Sequence, residues 1–168
     1  WHSMLKLPMS DSLVPQSHSN AQPEILQIKR FNDKAVGVNT NESGRLQLME
    51  KDHLGWNPIA ILNESNHHSS MPCFAQIDGV LVLFFASDRP GGMGGWDIWM
   101  SRWFNGWQAP FPLDKAVNTA NDELSPYFDQ GSLYFSSKGH NGSWVAARTV
   151  REMRAGRRGL RKAEGPLT

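Results

Sequence analysis

Stretches of this chain repeat at a separation near fifty residues, and that period restricts the fold more than any other feature. Phe85-Ala86-Ser87 returns as Phe135-Ser136-Ser137, 50 positions on. Met49 and Gly55-Trp56 return as Met100 and Gly106-Trp107 at 51, and Pro72 returns as Pro126 at 54. Small insertions account for the drift. A period of this size with four strand-like segments per unit is what a β-propeller blade needs.

The spacing predicts a unit with strand A at about 71–76, strand B at 81–87, strand C at 96–103 and strand D at 107–113. The next unit opens with A at 125–129 and B at 132–137, joined by the tight turn Asp129-Gln130-Gly131. Upstream, short strands are expected at 25–28, 35–38 and 46–49, around the turns Asn32-Asp33 and Asn41–Gly44. In strand C, Trp96, Ile98 and Met100 alternate against Asp97, Trp99 and Ser101, which gives one apolar face. Leu81–Phe85 is apolar on both faces, as a strand buried between blades requires.

Composition agrees with an all-β protein. Fifteen Gly, ten Pro and seven Trp accompany only 39% hydrophobic residues, with no apolar run near the roughly 20 residues of a membrane helix. Cys73 is the only cysteine, so an intramolecular disulfide or a CxxC zinc site is excluded. Residues 1–22 are polar and irregular and read as a loose arm, without the basic-then-apolar order of a signal peptide. Residues 23–142 carry the blades. Residues 143–168 form a basic tail with seven Lys and Arg against two Glu. An irregular solvated end fits that tail. So does a short helix capped by Ser143 with Trp144, Ala147, Val150 and Met153 on one face. A shift of reading frame after Gly142 would account for the same abrupt change.

The run from Phe85 through Ser87-Asp88-Arg89-Pro90-Gly91-Gly92 and Gly94-Gly95-Trp96-Asp97-Ile98 resembles the PD40 (WD40-like) propeller repeat. So does Gly106-Trp107 followed by Val117-Asn118-Thr119, Asp122–Phe128 and Leu133–Ser137. That repeat occurs in TolB-like proteins and in bacterial envelope proteins that join a propeller to an OmpA-type domain. The resemblance covers roughly 46–142 and implies about two four-stranded blades of an incomplete propeller. It also implies a non-catalytic module, periplasmic or outer-membrane-associated, with a protein or cell-wall glycan as partner. The alternative is an enzyme-associated propeller, glycosidase-like or a peptidase lid, whose catalytic part lies elsewhere. Open strand edges invite self-association.

No residue set argues for catalysis, a metal or a cofactor, and no nucleic-acid partner is expected. Asp88 and Asp97 flank Gly91-Gly92 and Gly94-Gly95 but offer too few oxygens for calcium, and are expected to accept turn amides. The glycines are expected to supply positive φ. Neighbouring His67-His68 and Asp122-Glu123 do not converge as acid/base pairs would. Together with the glycines and the two aspartates, Trp107 and Pro126 read as structural positions of the repeat. Alternating strands place the long B–C and D–A loops on one edge of every blade, the usual place for binding on a rigid scaffold. Partner-binding candidates on that edge are Arg89, His67, His68, Asn118, Asp122 and Glu123.

Overall fold

A computed structural model describes residues 23–140 and the strand Ala146–Thr149. The protein is all-β, with three antiparallel sheets that do not close on themselves. The first is β1 (Leu26–Phe31), β2 (Lys34–Thr40), β3 (Leu46–Lys51) and β4 (Trp56–Pro58). The second is β5 (Ser69–Ile77), β6 (Val80–Ser87), β7 (Asp97–Arg102) and β8 (Phe111–Pro112). The third has β9 (Glu123–Asp129), β10 (Ser132–Ser137) and β11 (Ala146–Thr149). In each, neighbours in sequence are neighbours in the sheet, which is the meander of a propeller blade. There are thus two four-stranded blades and three strands of another.

The A–B turns show why the register repeats. Asp78 and Gly79 have φ of 52° and 78°, and Gln130 and Gly131 have 45° and 80°. Two successive positive φ values match the twist of a two-residue hairpin. A second mark lies inside strand A. Gln27, Met71 and Ser125 each have φ near 50°, at or beside a bulge in β1, β5 and β9. The bulges also join the sheets. The Met71 amide donates to Gln27 Oε1 at 2.9 Å, and the Ser125 amide donates to Met71 Sδ at 3.3 Å.

The core lies between sheets. Val36, Val38 and Leu48 of the first sheet pack on Leu83, Phe85, Trp99 and Trp107 of the second. The opposite face of the second sheet, with Phe84, Ala86, Ile98 and Met100, packs on Leu133 and Phe135. Strand β6 therefore feeds both cores, and its six residues from Val82 to Ser87 are buried. Among the described residues, Trp96, Trp99, Trp103 and Trp107 serve this packing.

Three details correct the expectations. Met49 pairs with Pro58 and Trp99 with Pro112, so Met49 corresponds to Trp99 and not to Met100. Strand D of the second sheet is only Phe111–Pro112, preceded by a bridge between Trp103 and Trp107; Pro110 and Pro112 have no N–H to extend the ladder. In the tail, Ala146–Thr149 pairs antiparallel with Phe135–Ser132 of β10, as a strand C would. A helix is therefore excluded at those four residues. The expected arm at 1–22, and the tail at 143–145 and 150–168, lie outside the described residues.

Candidate functional site

The Gly-rich B–C loop of the second sheet is held from below by one carboxylate. Asp97 opens β7 and is fully buried. Its Oδ2 accepts the Met93 and Gly94 amides at 3.0 and 3.1 Å, the amide capping expected of it. Burial pushes its pKa up, against the pull of those two amides. Asp88 accepts an amide too, but from His68 in the neighbouring D–A loop, at 2.6 Å.

The glycines have a different cause from the one expected. Of the four, only Gly91 has positive φ, at 96°. The others are glycine because nothing larger fits. A Cβ at Gly92 would overlap the Asp97 carboxylate, one at Gly94 the Thr119 and Asn121 carbonyls, and one at Gly95 the Asp122 carboxylate. The loop lies directly against the D–A loop that leads into the third sheet.

Most of the candidate partner-binding residues turn out to hold one sheet to the next. Asn118 is fully buried. Its Oδ1 accepts the Ile98 amide and its Nδ2 donates to the Ile98 and Leu113 carbonyls. Asn63 does the same to the amide and carbonyl of Leu48. Each amide side chain thus pairs with strand C as another strand would. Asp122 Oδ1 accepts the Trp96 amide at 3.1 Å, and His68 Nδ1 accepts the Leu46 amide at 3.1 Å. Glu123 is fully buried, accepting from the Thr119 amide, Thr119 Oγ1 and Ser137 Oγ.

Arg89 is the largest departure. It is 5% exposed. Its guanidinium donates to Ser87 Oγ, Ser69 Oγ and the Leu62 carbonyl, and lies over the rings of Phe85 and Trp99. Burial lowers its pKa, with Glu64 and Asp88 opposing. Arg89, Asn118 and Glu123 are therefore not presented to a partner: their polar atoms saturate interior groups. The structure gathers five of the six candidates into two sets. Arg89 and His68 meet through Ser87, whose hydroxyl donates to the His68 carbonyl. Asn118, Asp122 and Glu123 cluster around the next D–A loop.

What stays accessible on this edge is narrower. His67 Nδ1 lies 3.7 Å from Asp88, and Lys138 Nζ lies 3.3 Å from Asp122. Met93 stands at the tip of the glycine loop, half exposed. Trp96 is partly buried, with the His68 ring tilted against it at 5.7 Å.

The opposite edge holds a feature the sequence reading missed. A cleft of about 650 Å³ opens where the A–B and C–D turns of the first sheet meet Trp103 of the second. Lys34 Nζ sits 3.5 Å from the centroid of the Trp103 ring and 3.9 Å from Glu50 Oε1. Burial pushes the Glu50 pKa up, with Lys34 pulling it back. Arg30, Lys51, His53 and Asn57 line the rim. The signal was present in the topology: Asn32-Asp33, Asp52-His53 and Trp103 all fall on one edge of alternating strands. These turns are short and carry no motif, so nothing local in the sequence marks the cleft.

Among the described residues, no His, Cys, Asp or Glu set is placed to hold a metal ion, and no helix is long and apolar enough to cross a membrane. No protein-family model, curated protein or solved structure matches the chain.

Proposed function

We propose that the protein is a non-catalytic β-propeller interaction module of a bacterial envelope protein, and that it binds a protein or cell-wall glycan partner. The observation that carries this reading is the repeated clamp between sheets. Asn63 with Asn118, and His68 with Asp122, hold successive D–A loops against the strand C before them. Such bonding makes the long-loop edge a rigid platform, on which Met93, His67 and Lys138 project. A rigid loop loses little entropy on binding, which favours recognition. The envelope setting rests on the resemblance to PD40 repeats.

Site-specific photo-crosslinking tests the reading. A crosslinking residue at Met93 should give discrete adducts with an envelope component in bacterial cells, while one at Asn105, at a turn on the opposite edge, should give none. Equal labelling from both positions, or from neither, would overturn the assignment of the platform.

A further inference from the structure

His68 lies in the D–A loop between the first and second sheets, with its ring at the start of β3. Both ring nitrogens face donors: the Leu46 amide at Nδ1 and Arg45 Nη1 at Nε2, each at 3.1 Å. A neutral imidazole accepts at one nitrogen and a protonated one at neither. The bond to Leu46 therefore exists only while the ring is neutral. A proton on Nδ1 would set N–H against N–H, with the permanently charged Arg45 guanidinium beside the new cation.

The other charged groups around His68 hold its backbone and not its ring. Asp88, from the B–C loop of the second sheet, accepts the His68 amide at 2.6 Å and lies 3.7 Å from His67 Nδ1. A protonated His67 is drawn to that carboxylate, so acid fastens the loop backbone while it frees the neighbouring ring. The Ser87 hydroxyl holds the His68 carbonyl. Glu64, in the same loop, acts on the buried Arg89. The His68 ring also lies against the Trp96 indole at 5.7 Å.

The corresponding clamp at the next corner has no such sensitivity. Asp122 Oδ1 accepts the Trp96 amide at 3.1 Å, and a carboxyl group keeps an acceptor oxygen whether or not it carries a proton. Two clamps with one task thus differ in how they meet acid, and histidine is the side chain whose charge changes between about pH 5 and pH 8.

We propose that His68 is an acid-released catch. In mildly acid surroundings its ring lets go of Leu46 and turns away from Trp96, which loosens this D–A loop against the first sheet while the loop held by Asp122 stays fast. The consequence for a partner rests on the platform reading; the catch itself does not.

Amide hydrogen exchange followed by NMR on the whole chain tests this, with rates corrected for the direct effect of pH on exchange. From about pH 7.5 to about pH 5.5, protection of the Leu46 amide should fall about tenfold or more, and that of the Trp96 amide should stay within about threefold. Asparagine places an amide oxygen near the position of Nδ1, so His68→Asn should keep Leu46 protected at both pH values. His67→Gln should retain the fall. Unchanged protection at Leu46, an equal fall at Trp96, a fall that persists in His68→Asn, or one lost in His67→Gln would each overturn the proposal. Leu46 against Trp96 in the unaltered chain decides the matter even if a variant fails to fold. No partner enters the measurement, so failure here is separable from failure of the cross-links from Met93.

Discussion

The B–C corners of the second and third sheets have the same backbone frame and opposite chemistry. In both, a serine closes strand B, Ser87 in one and Ser137 in the other, and stands across the ladder from the residue that opens strand A. In the second sheet that residue is Ser69, and the space beside it is filled by the Arg89 guanidinium. In the third it is Glu123, whose carboxylate reaches Ser137 and Thr119, and no arginine follows; Gly139 stands there, with Thr119 packed where a side chain would be. The carbonyl that Arg89 reaches, Leu62, corresponds to Val117, and there His140 Nε2 approaches at 2.7 Å. A carbonyl only accepts, so that ring nitrogen carries the proton. One corner is built round a buried cation, the other round a buried anion with a histidine donor. The comparison teaches that this repeat conserves which backbone groups are satisfied, and leaves open which side chain satisfies them.

The largest expected effect comes from emptying the cationic corner. Arg89→Ala removes the donors to Leu62, Ser69 and Ser87 together, leaving the Leu62 carbonyl only the Ser69 hydroxyl and opening a buried space beside it, which costs about 3 kcal/mol. His140→Ala removes the donor to the Val117 carbonyl in a half-buried place and should cost about 1 kcal/mol. Urea unfolding of the two variants measures both. Equal losses would break the view that the second corner depends on its cation more than the third does on its histidine.

The same contrast shows how far sequence carries. The strands were legible because apolar runs such as Leu81–Phe85 and turn residues such as Asp129-Gln130-Gly131 act locally, and the period near fifty then ordered them into blades. The role of Arg89 was not legible. A lone arginine in a glycine loop carries no local sign of burial, and its partners Leu62 and Ser69 lie 27 and 20 residues away. Asn118 is hidden for the same reason, since its bonds to Ile98 span 20 residues, whereas Glu123 bonds Thr119 and Ser137 at its own corner, 4 and 14 residues away. The offset of 54 that relates Pro72 to Pro126 also aligns Asp122-Glu123 with His68-Ser69, residues without chemical likeness. Geometry shows that the role of Asp122 and His68, to accept an amide from strand C, is shared without likeness. The cleft escaped because it needs two sheets to exist.

A second contrast, smaller in size, lies in the glycines. At Gly94 an added methyl meets the carbonyl oxygens of Thr119 and Asn121, which are backbone and give way only if the D–A loop moves. At Gly139 it meets the Thr119 side chain, which can turn at the loss of its bond to Glu123. Gly94→Ala should therefore cost about 2 kcal/mol, within the usual range for overpacking, and Gly139→Ala about 1 kcal/mol. Thermal denaturation of the pair ranks them. A larger loss at Gly139 would mean that Thr119 is held more rigidly than the loop backbone, and would move the weak point of the platform to the third sheet.

The smallest effect concerns Asp97, the carboxylate buried under the glycine loop of the second sheet. Asp97 has its Oδ2 capped by two amides, while its Oδ1 has no partner among the described residues. Burial outweighs the amides and raises its pKa in the folded protein. Above the ordinary carboxylate range and below that raised value, the folded state holds a proton that the unfolded chain has released. Stability from this group is therefore greatest in acid and falls as pH rises through the window. Asparagine in its place keeps an oxygen for the Met93 and Gly94 amides and has no proton to lose. From about pH 4 to about pH 7, the unfolding free energy of Asp97→Asn should thus decline less than that of the unaltered chain, a comparison in which the other carboxylates cancel. A decline as steep in Asp97→Asn would show that the amides of the glycine loop, and not burial, set the state of Asp97, and the loop would then be held by a full charge.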